Sequence, residues 1–245
     1  MVKVLSLNLC NYHNFEERKV RIADFIKRAS PDIVALQEVR DDLKHNLAGD
    51  NQAKQINRHL KYPYMAFVET MSINQVKNLP NEPACIEGLA ILSRFPILKI
   101  LKRKLKRHAQ DKFTRAVMHV QVASNKSIDI FNVHYSPVAL FAKLHLEETL
   151  KISRRLGISP IILGDFNIPD PKIVKELATD YSISTDMKNY LSYCPNERIK
   201  KDKVYNPEAC TLDYILIPKK FKFKHFDCGG EGLSDHNALI AEIIV

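Results

Sequence analysis

The stretch that most constrains the fold is residues 161–170, where an apolar run stops at a glycine and a carboxylate and a carboxamide follow. The apolar residues and the glycine predict a buried strand that ends at a sheet edge. Side chains two apart on an extended backbone point the same way, so Asp165 and Asn167 would share one face while Phe166 turns into the core. Taken alone, the stretch also fits an Asx-type turn, in which Asp and Asn bond only their own backbone.

Composition predicts a soluble globular protein with a sizeable core, since 45% of the residues are hydrophobic and 27% are charged. The 5 cysteines show neither CxxC nor Cys/His spacing, which indicates free thiols in a reducing compartment and no structural zinc. We expect no signal peptide before the first strand and no membrane span, because no apolar run is long enough to cross a bilayer. Because there is no repeat, low-complexity tract or linker-like shift, we expect one cytoplasmic domain over residues 1–245, acting as a monomer.

The net charge of +9 favours an anionic partner such as nucleic acid or a phosphorylated surface. Two segments carry much of the excess, residues 102–107 and residues 219–224. The second alternates Phe and Lys, as expected of a strand with one buried and one solvated face. The first has five basic residues in six, which repel one another unless they are solvated or an anion neutralises them, and both readings stay open.

Hydrophobic periodicity predicts an alternation of strands and a few helices. Helices are predicted at 15–29, 53–60, 140–156 and 173–178. Strands are predicted at 3–9, 33–36, 88–93, 117–122, 128–133, 161–163, 211–217 and 238–245, with a hairpin turn at 123–127 and a polar surface loop at 74–83. This pattern argues for mixed α and β structure with packed sheets.

Polar side chains recur at or near the ends of these predicted strands. They are Asn8, Glu38, His134, Asp165, Asn167, Asp213, Asp235 and His236. The set offers carboxylates and carboxamides without a thiol, which is the donor chemistry that a hard cation such as Mg²⁺ prefers.

In this order along the chain, the motifs resemble those of the endonuclease/exonuclease/phosphatase superfamily, which has the DNase I-like fold. The matching pieces are Leu7-Asn8, Leu36-Gln37-Glu38, Gly88 to Arg94, Asn132-Val133-His134, Gly164 to Asn167, Leu212 to Ile215, and Ser234-Asp235-His236. The resemblance implies an α+β fold, a two-sheet β-sandwich flanked by helices in four αββα layers. It also implies metal-dependent phosphoester hydrolysis, normally with Mg²⁺ and possible with Mn²⁺.

The resemblance also implies roles for the metal side of the site. Glu38 would be the main metal ligand, with Asn8 and Asp235 completing the shell directly or through water. Asp165 would orient or deprotonate the attacking water, and Asn167 would donate to the phosphoryl oxygens as they gain charge. The alternative for Glu38 is a solvated residue that starts a loop.

For the histidines, the resemblance implies an acid partner and a phosphate contact. Asp213 would fix the tautomer of His236 and raise its basicity, so the proton acceptor is either His236 or Asp165. As an alternative, Asp213 is an acid in a surface turn. His134 would bind the phosphate or assist the leaving group.

Three more residues are candidate substrate contacts: Arg94, Arg115 and Tyr135. The alternative for the two arginines is an ordinary surface position at a strand end. Asn132 and Tyr135 flank His134, and for both a substrate contact and a structural role remain open.

The superfamily includes enzymes acting on DNA, RNA, protein–DNA adducts, phospholipids and inositol phosphates, so the fold does not name the substrate. The chain has His134 followed by Tyr-Ser-Pro-Val where the abasic-site endonucleases carry Tyr-x-Pro-Asn. This resembles instead the DNase I, sphingomyelinase, deadenylase and tyrosyl-DNA phosphodiesterase branches. With the positive charge and no export signal, we expect an intracellular nuclease or nucleic-acid end-processing enzyme. The alternatives are a phosphatase or phospholipase acting on small or lipid phosphoesters, and a non-catalytic binding module.

Overall fold

In the computed structural model, which describes residues 1–124, 126–195 and 208–245, two six-stranded sheets carry the fold. The strands are β1 Val2–Asn8, β2 Ile33–Asp42, β3 Tyr64–Ser72, β4 Cys85–Ser93, β5 Ile97–Lys104, β6 Ala116–Ala123, β7 Ser127–His134, β8 Ile161–Asp165, β9 Tyr181–Ile183, β10 Asp213–Pro218, β11 Lys222–Gly229 and β12 Ala238–Ile244. The helices are α1 Phe15–Ala29, α2 Gln52–Leu60, α3 Ile73–Lys77, α4 Ala139–Arg155 and α5 Pro171–Leu177.

The strand order is β11-β12-β1-β2-β4-β3 in the first sheet and β5-β6-β7-β8-β10-β9 in the second. Each sheet has one parallel pair joined by a crossover helix, β1-α1-β2 in the first and β7-α4-β8 in the second. The carboxyl ends of parallel neighbours lie at the same edge of a sheet. The first crossover therefore places the residues that follow β1 beside those that follow β2. The second does the same for β7 and β8.

Three hydrophobic cores give the fold its layers. One core lies between the sheets, a second packs α1 and α2 on the first sheet, and a third packs α4 and α5 on the second. The predicted four-layer αββα sandwich is confirmed.

The face of β1 that lies between the sheets changes character along the strand. Val2 and Val4 belong to the apolar core between the sheets, Ser6 follows as a buried hydroxyl, and Asn8 ends the strand. The alternating residues Leu5 and Leu7 pack against the helices instead. Because a strand turns every second side chain to the same face, this pattern moves the interface from apolar to polar toward one edge.

The other strands around this edge repeat the pattern. β7 runs from Ile128 and Ile130 to Asn132 and His134, β8 from Ile161 and Leu163 to Asp165, and β10, which is antiparallel, from Ile217 and Ile215 back to Asp213. The sheet interface is therefore a hydrophobic core over most of its length and a polar site at one edge.

Several elements differ from those predicted by periodicity. Helix α3 occupies the first half of the segment predicted as a polar loop, and β3, β5 and β9 add strands that the pattern did not predict. β5 is an edge strand in which no side chain is fully buried, so its alternation of apolar and polar residues is weak. In the predicted hairpin Ala123 pairs with Ser127, and Asn125 lies outside the described residues.

Within the described parts of the chain, no helix combines the length and apolar composition that a membrane span requires.

Candidate active site

Glu38 reaches the site through a β-bulge. In β2, Ala35 faces the other sheet and Leu36 faces the helices, so regular alternation would turn Glu38 toward the helices. The register of β2 against β4 shifts between Leu36 and Val39, and Glu38 has a left-handed φ of 52°. For a side chain with a Cβ, this conformation costs roughly 1–3 kcal/mol, and such strain is concentrated at functional sites. The bulge directs the Glu38 carboxylate to the polar edge.

Asn132 supports this bulge from the second sheet. Its Nδ2 donates to the carbonyl oxygens of Leu36 and Ala90, both at 3.0 Å, where the register of β2 and β4 breaks. Its Oδ1 accepts from Gln37 Nε2 at 2.8 Å. Asn132 therefore links the two sheets behind the site, which is the structural role left open by the sequence.

Asp165 follows a glycine whose conformation other residues cannot adopt cheaply. Gly164 has a φ of 140°, and a Cβ at this position would lie 2.0 Å from the carbonyl oxygen of Val133 on β7. The close approach of β8 to β7 places Asp165 beside His134 in the parallel register. Phe166 is buried in the third core, as predicted. Asn167 has a φ of 51° and caps Asp165, since its backbone N–H donates to Asp165 Oδ1 at 2.9 Å.

The other carboxylate oxygen of Asp165 lies at the centre of the cluster. Asn8 Nδ2 donates to Asp165 Oδ2 at 3.0 Å and to Glu38 Oε1 at 3.3 Å. The Nε2 atoms of His134 and His236 lie 3.6 and 3.8 Å from Asp165 Oδ2. Burial raises the pKa of the Asp165 carboxyl and Asp213 adds to the rise, while the charge on His236 and the hydrogen bonds oppose it. A carboxyl with a raised pKa is suited to accept a proton near neutral pH.

His236 is paired with Asp213. The His236 Nδ1 atom lies 2.8 Å from Asp213 Oδ2, and both side chains are buried. Ser192 fixes the acid, because its Oγ accepts from the backbone N–H groups of Leu212 and Asp213 at 3.0 and 2.9 Å. Burial alone would lower the pKa of His236, but the carboxylates of Asp213 and Asp165 outweigh it and raise the pKa well above its usual value.

His134 has the opposite kind of partner. Arg115 Nη1 lies 3.0 Å from His134 Nδ1 and 3.5 Å from Glu87 Oε1, and Arg40 contacts the other Glu87 oxygen at 3.1 and 3.2 Å. His134, Arg115 and Glu87 are all buried. Burial lowers the pKa of His134 well below its usual value, and the positive charges of Arg115 and His236 lower it further.

The site opens into a cavity of about 670 Å³. Glu38, Asp165, His236 and Asp235 line it on the catalytic side. A small satellite cluster supplies an apolar wall, formed by Met71, Ile73, Val76 and Phe113. Of the three Lys and Arg side chains in the described lining, Arg40 and Arg115 contact Glu87, and Lys77 is exposed.

The oxygen donors around Glu38 fit a hard divalent cation. Burial and the nearby carboxylates of Glu87 and Asp235 raise the pKa of Glu38, a repulsion that a bound cation would relieve. Asn11 Nδ2 donates to Glu38 Oε2 at 3.3 Å. As Asn8 is oriented, its oxygen accepts from the backbone of Cys10 at 2.9 Å, so it orients the carboxylates rather than facing a cation with its oxygen.

A second group of possible ligand atoms needs a different explanation. Asp165, Asp213 and His236 each offer one such atom within 4.8 Å of the others. However, His236 Nδ1 is hydrogen-bonded to Asp213. The raised pKa of this imidazole also favours a bound proton, which competes with a metal ion. The Glu38 side is therefore the better cation site by donor chemistry.

The structure does not bring two predicted substrate contacts to the site. Arg94 follows the end of β4 farthest from Glu87; its side chain donates to Ser30 Oγ at 2.8 Å and lies over the Tyr62 ring. Tyr135 is fully buried in the third core, and its hydroxyl donates to Thr149 at 2.9 Å. Alternation after His134 turns the Tyr135 ring away from the cavity, and only its carbonyl oxygen, which accepts from Asn167 Nδ2 at 3.1 Å, contributes.

Sequence reasoning did not identify Glu87, Arg40 or Ser192 as residues that support the site. Glu87 was detectable as a charged residue directly before Gly88 in an apolar strand, since a buried carboxylate needs a partner. Ser192 lies in an irregular segment without periodicity, so nothing in the sequence indicated its bonds to the chain before β10.

Buried carboxylates and histidines beside an oxygen-rich cation site, at one edge of a four-layer sandwich, are suited to metal-assisted hydrolysis. The sequence model of the Endonuclease/Exonuclease/phosphatase family matches residues 5–236. The chain therefore belongs to this family, and its class as a metal-dependent phosphoric ester hydrolase is confirmed.

Solved structures share the fold of this chain. An endonuclease/exonuclease/phosphatase family protein from Leptotrichia buccalis C-1013-b is 16% identical with a TM-score of 0.76, covering 100% of both chains. Mannosyl-6-phosphatase Bt3783 from Bacteroides thetaiotaomicron VPI-5482 is 15% identical with a TM-score of 0.66, again covering 100% of both chains. D. rerio TDP2 complexed with a single strand DNA product is 14% identical with a TM-score of 0.70, covering 100% of this chain and 99% of that one. No curated protein sequence gives a significant match.

Proposed function

We propose that the protein is a Mg²⁺-dependent phosphodiesterase that acts on nucleic acid, as a nuclease or as an end-processing enzyme. The observation that carries the choice of substrate is the position of the basic segment 102–107. β5 ends at Lys104, which pairs with Ala116 next to Arg115, and the backbone N–H of Leu105 donates to the Arg115 carbonyl at 2.9 Å. The segment therefore begins at the catalytic edge.

The distance from this segment to the site suits a polynucleotide. β5 and β7 are separated by β6, so two strand spacings, about 10 Å, separate Lys104 from the strand of His134. Lys102 and Lys104 are exposed on the outer strand of the sheet. A chain whose scissile phosphate lies at His134 would bring neighbouring phosphates toward these lysines. The fold similarity to a protein complexed with single strand DNA product supports the same substrate class.

Glu38 would hold the cation together with Asp235, and Asn8 would orient the Glu38 and Asp165 carboxylates. A bound Mg²⁺ would polarise a phosphoryl oxygen and offset the charge that develops in the transition state. His134 would contact the same phosphoryl group across the gap that separates its Nε2 from Asp165 and Glu38.

Asp165 would take the proton of the attacking water. The carboxylates of Asp213 and Asp165 raise the pKa of His236 well above its usual value, which favours the protonated imidazole and makes Asp165 the better base. Asp165 has the raised pKa and the central position that a base requires. The water oxygen would form its bond to phosphorus, its proton would move to Asp165 Oδ2, and the ester oxygen would leave with the electrons of the broken bond.

A second candidate is hydrolysis of a small phosphoester, as a phosphatase or phospholipase would carry out. One observation favours it: Glu87 contacts two of the three Lys and Arg side chains in the described lining, so these side chains offer little charge to a long polyanion. The similarity in fold to a mannosyl-6-phosphatase points the same way. The apolar wall of Met71, Ile73, Val76 and Phe113 weakens the sugar phosphate reading, because buried hydroxyls there would lack partners.

The test is hydrolysis of end-labelled single- and double-stranded DNA and RNA, beside sugar phosphates, inositol phosphates and phospholipids. We expect Mg²⁺-dependent cleavage of a nucleic acid that EDTA and Glu38→Gln abolish. Lys102→Ala combined with Lys104→Ala should weaken cleavage and flatten its salt dependence, whose slope is roughly 0.9 per phosphate contact for duplex DNA. Lys219→Ala with Lys222→Ala is the matched control and should change neither. Turnover of only the small or lipid esters would contradict the proposal.

We propose one catalytic domain over residues 1–245, a monomer, in the cytoplasm. Cys10, Cys85, Cys194 and Cys228 carry free thiols, which supports a reducing compartment.

A further inference from the structure

The contact between Arg115 and His134 determines where His134 carries its hydrogen. A guanidinium has only donors, so Arg115 Nη1, 3.0 Å from His134 Nδ1, must donate and Nδ1 must accept. An imidazole with an accepting Nδ1 is neutral and carries its hydrogen on Nε2. We propose that Arg115 is a positioning residue that fixes this tautomer, and that His134 is a hydrogen-bond donor to the substrate and not an acid or base. The donor role rests on the proposed function, whereas the tautomer does not.

The surroundings of His134 Nε2 suit a donor that waits for a ligand. The nearest acidic oxygens are Asp165 Oδ2 at 3.6 Å and Glu38 Oε1 at 4.0 Å, both beyond a good hydrogen bond. An oxygen placed between these groups would receive the Nε2–H. A phosphoryl oxygen, which gains charge during hydrolysis, fits this position, because a fixed donor stabilises developing charge.

Glu87 holds Arg115 in place and leaves an Arg115 N–H group to donate to His134. Its Oε1 is 3.5 Å from Arg115, a long contact, and its Oε2 is held by Arg40 at 3.1 and 3.2 Å. The Arg115 guanidinium also lies over the Phe113 ring at 5.0 Å. One carboxylate thus serves two arginines, and Arg115 directs its shorter contact, 3.0 Å, to the imidazole.

Without Arg115 the neighbouring carboxylate would reverse the tautomer. Glu87 lies on the Nδ1 side of His134 with Arg115 between them. In Arg115→Met, Nδ1 would face an acceptor in place of a donor, and the hydrogen would move to Nδ1. The Nε2 atom would then point a lone pair at the anionic substrate, which would repel it.

The tautomer can be read from the two ring nitrogen shifts in ¹⁵N-histidine-labelled protein, with His134→Ala identifying the signals. In the wild-type protein we expect a protonated Nε2 and an unprotonated Nδ1 at pH 7.5. Arg115→Lys should keep this pattern, because the ammonium also donates, and Arg115→Met should invert it. Arg40→Met, which removes the other cation of Glu87, is the matched control and should leave the pattern unchanged. A wild-type His134 protonated on Nδ1 or on both nitrogens overturns the proposal.

Kinetics separate a positioning role from direct substrate contact by Arg115. Loss of the donor should lower kcat/KM about 100-fold in both His134→Ala and Arg115→Met. If Arg115 acts through His134, the double variant should lose no more than His134→Ala alone. Additive losses would show that Arg115 binds substrate itself and would contradict the proposal. An inactive wild-type protein with the expected nitrogen shifts would refute the proposed function and leave the tautomer assignment standing.

Discussion

His134 and His236 both direct Nε2 toward Asp165, but their pKa values are shifted in opposite directions. Both are buried, and their Nε2 atoms lie at similar distances, 3.6 and 3.8 Å, from Asp165 Oδ2. They differ in the partner at Nδ1, which is a carboxylate for His236 and a guanidinium for His134. The pKa of His236 is raised and that of His134 is lowered.

The comparison teaches that burial does not assign a role to a histidine. Burial acts in the same direction on both, since it disfavours the charged ring. The neighbours behind each ring decide the outcome, so the site has a cation on one side of Asp165 and a neutral donor on the other. Substitutions of Asp165, of Asp213 behind His236 and of Gly164 in the supporting backbone should therefore have effects of different size on activity or stability.

The largest effect is expected at Asp165, which both histidines face. Asp165→Asn keeps the shape of the side chain and removes the proton acceptor, so kcat/KM should fall by roughly 10⁴, the upper range for general base catalysis. The measurement is cleavage of the preferred substrate at saturating Mg²⁺, with circular dichroism to verify folding. Asn167→Ala, which removes an amide but no acceptor of protons, should cost less. Activity of Asp165→Asn within tenfold of wild type would rule out Asp165 as the base.

A smaller loss is expected at the carboxylate behind His236. Asp213→Asn removes the largest of the charges that raise the pKa of this imidazole, so the ring should become neutral near pH 7. Because a neutral ring stabilises developing negative charge less, kcat/KM should fall by about 10²–10³. Histidine ¹⁵N shifts would report the change of charge directly. Ser192→Ala removes only the support of the acid and should cost about tenfold or less. A His236 that stays protonated in Asp213→Asn would contradict the assigned cause.

Backbone support of the site should appear in stability. Gly164→Ala places a Cβ against the Val133 carbonyl in a strained conformation and should lower the free energy of unfolding by about 3 kcal/mol. Gly157→Ala is the control, because Gly157 also has a positive φ of 64° but has no atom within 4 Å of a new Cβ. It should cost about 1 kcal/mol. Urea unfolding measures both, and equal losses would show that the approach of β8 to β7 is not needed.

The smallest effect concerns a third histidine, His145, which lies outside the catalytic cluster. Burial lowers its pKa, and the Lys106 carbonyl opposes this only in part. The unfolded chain therefore binds a proton from about pH 6.5 downward before the folded protein does, so the wild type loses stability as pH falls below that value. His145→Asn should lose less between pH 7 and 5, by at most about 1.4 kcal/mol per pH unit. Parallel stability curves for the two proteins would contradict this sign.

Much of the fold and of the cluster was predictable because it follows from local pattern. The alternation that ends in Asp165, and the amphipathic spacing of residues 15–29, have their causes within a few neighbouring residues. The partners of the two histidines are distant in sequence. Arg115 lies 19 residues before His134, and Asp213 lies 23 residues before His236. Motif order located Asp213 only through a family resemblance.

The expectations for Arg94, Arg115 and Tyr135 show the limit of local pattern. All three are polar residues near strand ends, but strand direction puts Arg94 at the far end of β4. Alternation turns Tyr135 into the third core. Arg115 lines the cavity, yet its contacts are Glu87 and His134, and no sequence signal distinguishes this from a substrate contact. Such assignments need the sheet register, which single residues do not encode.

The most direct test of the divided site is Mn²⁺ binding, measured by isothermal titration calorimetry and by electron paramagnetic resonance of the bound ion. The wild-type protein should bind Mn²⁺, Glu38→Gln should lose at least tenfold in affinity, and Asp213→Asn should bind as wild type does. That result would place the cation on the oxygen-rich side and leave Asp213 and His236 as a hydrogen-bonded pair. Loss of binding in Asp213→Asn with full binding in Glu38→Gln would place the metal at Asp165, Asp213 and His236 and contradict the account.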